Sequence, residues 1–255
     1  MIPFIHSRPR DFGLPQIVGA QPTFFFHADR IPGADAAAVT GSAFPCQGIP
    51  INGTQPAAPT ISAAGWGGSK RCLSFTTAQY LRVDALAADH TNYGDSWLMV
   101  AAMNVPNTAA QRTYLGYGLN ASGTDFGEFY LETTDVSTIY LSDTGGAVGA
   151  ASAVTQTMGA DVIVGILRNS GGTYSMFQLA SGGETKFREN VALVKTGAVT
   201  FDRGVIGGEW YATSVTANGA GFKLRAMGVW HRATMDSTKL SALLVHFRDK
   251  LDCPV

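Results

Sequence analysis

The sequence predicts an all-β protein: a closed β-sandwich finished by one C-terminal helix and preceded by an extended N-terminal arm. Three observations carry that expectation. Pro22 to Asp29 (PTFFFHAD) begins an extended apolar strand, Phe222 to Leu251 holds a last strand and an amphipathic helix, and the long region between is rich in Gly and Thr with short strand-like runs.

At 255 residues the chain suits one large β domain, read as an arm over residues 1–21 and a body over residues 22–255 that includes a helix over 235–251. Hydrophobic residues make up 45% and charged residues 15%, which supplies a core and leaves a sparsely charged exterior suited to contact with other protein. With 18 basic and 19 acidic residues the net charge is −1, so no electrostatic footprint for nucleic acid or an anionic membrane is present. Neither is an expected partner.

Within the arm, Met1 to Gln21 has three prolines and no helix or strand periodicity. Ile2, Phe4, Ile5, Phe12 and Leu14 cannot bury one another in so short a segment, so they are the candidate assembly contacts. Either a neighbouring subunit or the arm's own sandwich orders them. MIPFIHSRPR lacks the continuous apolar stretch of a signal peptide, and no run of about 18 apolar residues occurs. The expectation is a soluble protein made in the cytoplasm. Asn52-Gly53-Thr54 and Asn120-Ala121-Ser122 fit the glycosylation sequon but read as loop chemistry in that setting.

Ile31 to Ser69, rich in Ala, Gly and Pro, reads as a long surface excursion that returns to the core at Leu73-Ser74-Phe75. Strands then follow at Gln79–Val83, Ser96–Met103, Thr113–Gly118, Glu128–Glu132, Thr138–Leu141, Asp161–Arg168 and Thr173–Leu179. SWLMVAAM is apolar throughout, as a strand buried on both faces requires. Asn169-Ser170-Gly171-Gly172 is a hairpin connection, because its glycines accept positive φ. Many short strands at close spacing argue a sandwich or a barrel.

The terminal helix places Leu240, Leu243, Leu244, Phe247 and Leu251 on one stripe, which is expected to cover an edge or opening of the sandwich. Thr234 is the expected N-cap, with Asp236 in the first turn and Arg248 and Lys250 near the end, where each suits the helix dipole.

Pro22-Thr23-Phe24-Phe25-Phe26-His27-Ala28-Asp29, the excursion to Pro59, and Cys72-Leu73-Ser74-Phe75 with Tyr80-Leu81 resemble the opening of the laminin-G-like, concanavalin A-like family. Ile206-Gly207-Gly208, Lys223 to His231 and the helix from Thr234 to Leu251 resemble its close, so the likeness spans residues 22 to 251. The resemblance implies a jelly-roll sandwich of two antiparallel sheets. Domains of this type in tailed bacteriophages imply a virion component rather than an enzyme.

Glucanases of this fold use two carboxylates about 5–9.5 Å apart. Their glutamate-x-aspartate-x-x-glutamate motif is absent, and Glu128 and Glu132, four residues apart on one strand, would stand about 13 Å apart. Glu132 and Asp135 span a strand end. No nucleophile with a base in a known frame, Walker loop or GxGxxG motif occurs, so no catalytic residue and no cofactor is expected. Cys46, Cys72 and Cys253 lack CxxC spacing and read as reduced thiols. Asp89, His90, Asn92 and Asp95 could ligate calcium but read as a polar turn, and no metal is expected. His27 and His231 read as hydrogen-bonded structural histidines.

Trp97 and Trp230 lie in apolar runs and belong to the core. Trp66 (AGWGGSK) and Trp210-Tyr211 (GGEWYATS) lie in Gly-bounded segments, where they either anchor loops or contact a glycan or protein partner. The expected function is a structural virion protein that decorates the capsid, in contact with other virion proteins and with further copies of itself, a trimer being one symmetric arrangement. A carbohydrate-binding or receptor-binding tail module is the alternative.

Overall fold

The computed structural model describes residues 13–31, 33–39, 58–76, 79–82, 96–107, 112–118, 129–133, 138–143, 154–155, 157–169, 173–192, 203–211, 214–217, 221–231 and 235–255. In chain order these form α1 (Leu14–Val18), β1 (Phe24–His27), a 3-10 turn (Ala28–Arg30), β2 (Thr60–Trp66), β3 (Lys70–Ser74), β4 (Leu81–Arg82), β5 (Trp97–Asn104) and β6 (Arg112–Gly118). There follow β7 (Phe129–Thr133), β8 (Thr138–Asp143), β9 (Val154–Thr155), β10 (Asp161–Asn169), β11 (Thr173–Ala180) and β12 (Gly183–Ala192). The chain closes with β13 (Arg203–Ile206), β14 (Gly208–Tyr211), β15 (Ser214–Ala217), β16 (Lys223–His231) and α2 (Ser237–Lys250).

The larger sheet runs β12-β11-β10-β5-β16-β3-β2, with β1 also on β16, and the smaller runs β4-β13-β6-β7-β8-β9. Every pairing recorded between these strands is antiparallel, as expected. Strands β14 and β15 form a separate ribbon. Strand β1 continues the edge of β16 where β3 ends, pairing Phe24 with Val229 while β3 pairs Leu73 with Leu224.

Side-chain alternation sorts the larger sheet into two apolar faces. Trp97, Met99, Ala101 and Met103 of β5 join Val162, Val164 and Ile166 of β10 in one cluster, which reaches Leu81 and Ile206 of the smaller sheet. Leu98, Val100, Ala102, Ile163 and Leu167 join the opposite cluster with Leu240, Leu243, Leu244, Phe247 and Leu251. The helix therefore lies on the outer face of the larger sheet, rather than over the edge or opening that its stripe suggests. That placement explains SWLMVAAM: β5 is covered on both sides, so neither side-chain set is polar.

Helix α2 lies close because β10 offers a glycine beneath it. A Cβ on Gly165 would come within 2.8 Å of Leu240 Cδ1 and Leu244 Cδ2. The N-cap is Asp236, whose carboxylate accepts from Lys239 N at 2.8 Å, so the helix starts two residues beyond the expected Thr234, which lies outside the described residues. Asp236→Ala is expected to cost about 1 kcal/mol, read as a lower Tm.

Two further expectations change. The excursion over Ile31 to Ser69 contains a strand, β2, whose small residues Ala63, Ala64 and Gly65 carry little strand propensity. Segment 13–21 of the extended arm includes helix α1, which packs on α2 through Leu14 and Val18. Thus Leu14 is ordered by the chain's own body.

Candidate functional site

A network of charged and titratable groups gathers where β1, β3, β16 and the C-terminal tail meet. Arg225 organises it. The register of β16 against β5 runs Lys223 to Asn104 and Leu224 to Met103, then Ala226 to Ala102, so Arg225 is the extra residue of a β-bulge. The bulge changes the strand's phase: Leu224 before it and Met227 and Val229 after it all face the smaller sheet, while Ala226 and Trp230 face α2. Arg225 is fully buried.

A buried guanidinium requires partners, and the chain supplies them from three places. Nη1 and Nη2 donate to the two oxygens of Asp29 at 2.8 and 2.7 Å, Nη1 also donates to Arg71 O at 2.6 Å, and Nε donates to Asp252 O at 3.0 Å. Asp252 in turn accepts from Lys70 Nζ at 2.5 Å. Burial raises the Asp29 pKa, but hydrogen bonds and charge from Arg225 outweigh it, so the carboxyl stays below its ordinary 3.8.

His27 ends β1 on the same face. Its Nε2 lies 2.7 Å from Leu251 O, and a carbonyl only accepts, so the proton sits on Nε2. Its Nδ1 accepts from Asp29 N at 3.3 Å. Burial is the largest influence on the ring and holds its pKa below the ordinary 6.5, against the pull of the Leu251 hydrogen bond. The ring is neutral at pH 7, with both nitrogens engaged.

The tail that these side chains hold is short and well fastened. Trp66 Nε1 donates to Pro254 O at 2.9 Å, and Cys253 is buried. Burial pushes the Cys253 thiol up to about 12 and the Cys72 thiol up to about 11. Both are free, protonated thiols, as the sequence predicts, and poor nucleophiles. Above the network lies an open cleft of about 330 Å³ lined by His27, Asp29, Arg30, Lys250, Leu251 and Asp252. Its carboxylates already serve Arg225 and Lys70, and the histidine's one lone pair, on Nδ1, accepts from the backbone N–H of Asp29. The arrangement fastens the C-terminal tail to β1, β2, β3 and β16.

The sites expected from sequence fall elsewhere. Trp66 is a correction: it is 0% exposed, at the end of β2 and inside the α2 cluster, so it is an anchor and not a platform for a ligand. Its Gly-bounded setting does mark a turn, at Gly67 and Gly68 with φ of 55° and 70°, but the tryptophan belongs to the strand before it. Trp210 and Tyr211 lie in β14, opposite Val215 and Ser214. Ile2, Phe4, Ile5, Phe12, Cys46, Glu128, Asp135 and the set Asp89, His90, Asn92 and Asp95 lie outside the described residues, and Glu132 lies in β7. Among the described residues, no group of three or more His, Cys, Asp or Glu is placed to hold a metal ion. Trp97 and Trp230 are buried core residues, and His27 has the structural hydrogen bond expected of it.

No family model matches the chain, and no curated protein matches it. Solved structures do. Trypanosoma rangeli sialidase in complex with 2,3-difluorosialic acid is similar with a TM-score of 0.54 at 12% identity, over 90% of this chain and 33% of that one. The same enzyme with 2,3-difluoro-KDN gives 0.54 at 13% identity, over 89% and 33%, and with sialic acid 0.52 at 12%, over 89% and 33%. The chain spans about a third of the length of these sialidase structures. At such identity the likeness concerns fold alone, and it agrees with the geometry above: this is an all-β sandwich of antiparallel sheets with a helix at its C-terminal end.

Proposed function

We propose that the chain is a non-enzymatic structural component of a tailed-phage virion, a capsid decoration or minor capsid protein with a concanavalin A-like jelly-roll body. One observation carries the reading: α1 is fastened into the core, with Leu14 0% exposed, immediately after a segment that holds Ile2, Phe4, Ile5 and Phe12. An apolar segment attached to a fixed root is suited to binding a protein neighbour, because its attachment point loses no freedom on docking. The low charge of the chain favours the same kind of contact.

The test is incorporation. Chain lacking residues 1–12, supplied during particle assembly, is expected to be missing from purified virions while its Tm stays unchanged. Equal incorporation of the truncated and full chains would remove the segment's role, and absence of the full chain from virions would remove the reading itself.

A second reading, a carbohydrate-binding module, draws on the sialidases above, whose structures are described with sialic acid and its analogues. It places the contact at Trp210 and Tyr211 and predicts saturable glycan binding that Trp210→Ala abolishes. Calorimetry with sialosides and neutral oligosaccharides separates the two.

A further inference from the structure

We infer that protonation of His27 releases the C-terminal tail, residues 251–255, from the body, making the junction of β1 and that tail an acid-triggered latch. The tail's first two carbonyls are held by two cationic or ionisable side chains, Leu251 O by His27 Nε2 and Asp252 O by Arg225 Nε. Both side chains depend on Asp29. Its backbone N–H donates to His27 Nδ1, and its carboxylate neutralises Arg225.

A second proton on the imidazole must go to Nδ1. It turns the acceptor of Asp29 N–H into a donor, so that hydrogen bond is lost. Among the described residues, the anion beside the ring is Asp29 Oδ2, 3.9 Å away, which already accepts from Arg225 Nη2 at 2.7 Å. Imidazolium and guanidinium compete for one carboxylate in a place where Arg225 has no access to water.

The other charged groups described around the junction do not relieve the competition. Arg30 on the 3-10 turn and Lys250 at the end of α2 line the cleft as further cations. Lys70 and Arg71 of β3 are also cationic, and Asp252 is already paired with Lys70. Helix α1 contributes no titratable side chain. Release of the tail opens the pocket and hydrates both cations.

A charged ring would donate more strongly to Leu251 O, which opposes release, but the desolvation of the ring is the larger effect. The docked ring is therefore harder to protonate than a free one. By linkage, docking is fully favoured above the ordinary histidine value of 6.5 and weakens as pH falls from there toward the docked pKa. For one proton the tail's opening constant rises about tenfold per pH unit across that window.

Hydrogen exchange of the full chain, followed by mass spectrometry at several pH values and corrected for intrinsic rates, reads the opening directly. The C-terminal peptide is expected to lose protection about tenfold per unit below about pH 6.5, while strands β5 and β10 stay protected. His27→Gln keeps a donor for Leu251 O but takes no proton, so its protection is expected to be flat. His246→Gln, on α2 beside Gly13, is expected to keep the wild-type slope. A flat wild-type profile overturns the latch, as does a slope that persists in His27→Gln or disappears in His246→Gln. If His27→Gln does not fold, NMR titration of the His27 ring in the unaltered chain decides, because its midpoint must coincide with that of tail opening; separate midpoints overturn the proposal.

Discussion

Replacing Arg225 by methionine is expected to lower stability by about 3–5 kcal/mol, measured as a fall in the urea midpoint at constant m-value. The loss comes mainly from what is left behind. Arg71 O and Asp252 O, both in part-buried hydrogen bonds, lose their donor, at up to about 1–3 kcal/mol for each carbonyl left without a partner. Asp29 adds little, because its side chain is 46% exposed and returns to water. Methionine fills much of the arginine stem's volume, which keeps the cavity small. Lys70→Met is the contrast: its bridge to Asp252 is between exposed groups, so the expected loss is below about 1 kcal/mol.

The same substitution has a signature in pH. Asp29 keeps its low pKa only because Arg225 outweighs burial, so in Arg225→Met the carboxyl is expected to titrate higher than in the parent. A depressed carboxyl stabilises the fold above its unfolded value of about 3.8, and that stability disappears as pH falls through the folded value. The parent is thus expected to show an acid-dependent stability step that the variant lacks. A loss of less than about 1 kcal/mol, or an unchanged Asp29 titration, would show that Arg225 is not the centre of the junction.

Where the sequence is informative, the reason is local. Strands β5 and β10 are covered on both faces, and their apolar runs announce it; the helix stripe from Leu240 to Leu251 is equally plain. Strand β12 is not legible because its GETKFRENVA faces water along an edge, where charge protects an unpaired strand and removes the apolar alternation. The junction is hidden for a different reason. Asp29 and Arg225 are separated by 196 positions and His27 and Leu251 by 224, and no spacing rule reaches that far. One signal is available: an arginine inside KLRAMGVWH, a run otherwise suited to full burial, requires a partner, and Asp29 stands just past the other recognisable strand. The bulge that re-phases β16 is what spoils strict alternation there, so the pattern that obscures the register also marks the site.

The seating of α2 makes a second large effect measurable. Leu244→Ala is expected to cost about 2–5 kcal/mol, since Leu244 is wholly buried between the helix and the sheet. Gly165→Ala is expected to cost about 1–3 kcal/mol for the opposite reason, overpacking, because its new Cβ meets Leu240 Cδ1 and Leu244 Cδ2 at 2.8 Å. Alanine's better strand propensity offsets about 0.5–1 kcal/mol of that. In the double variant the shortened side chain at position 244 vacates part of the space that the new methyl group at position 165 needs, while Leu240 still presses on it. The two losses should therefore add to less than their sum by about 1 kcal/mol, a coupling that two distant sites do not show. Gly182→Ala has no atom within 4 Å of its new Cβ and provides the baseline for a harmless alanine. Strict additivity in this cycle would mean that α2 does not rest on Gly165, and the helix would then have to be stabilised by contacts other than the close approach that this glycine permits.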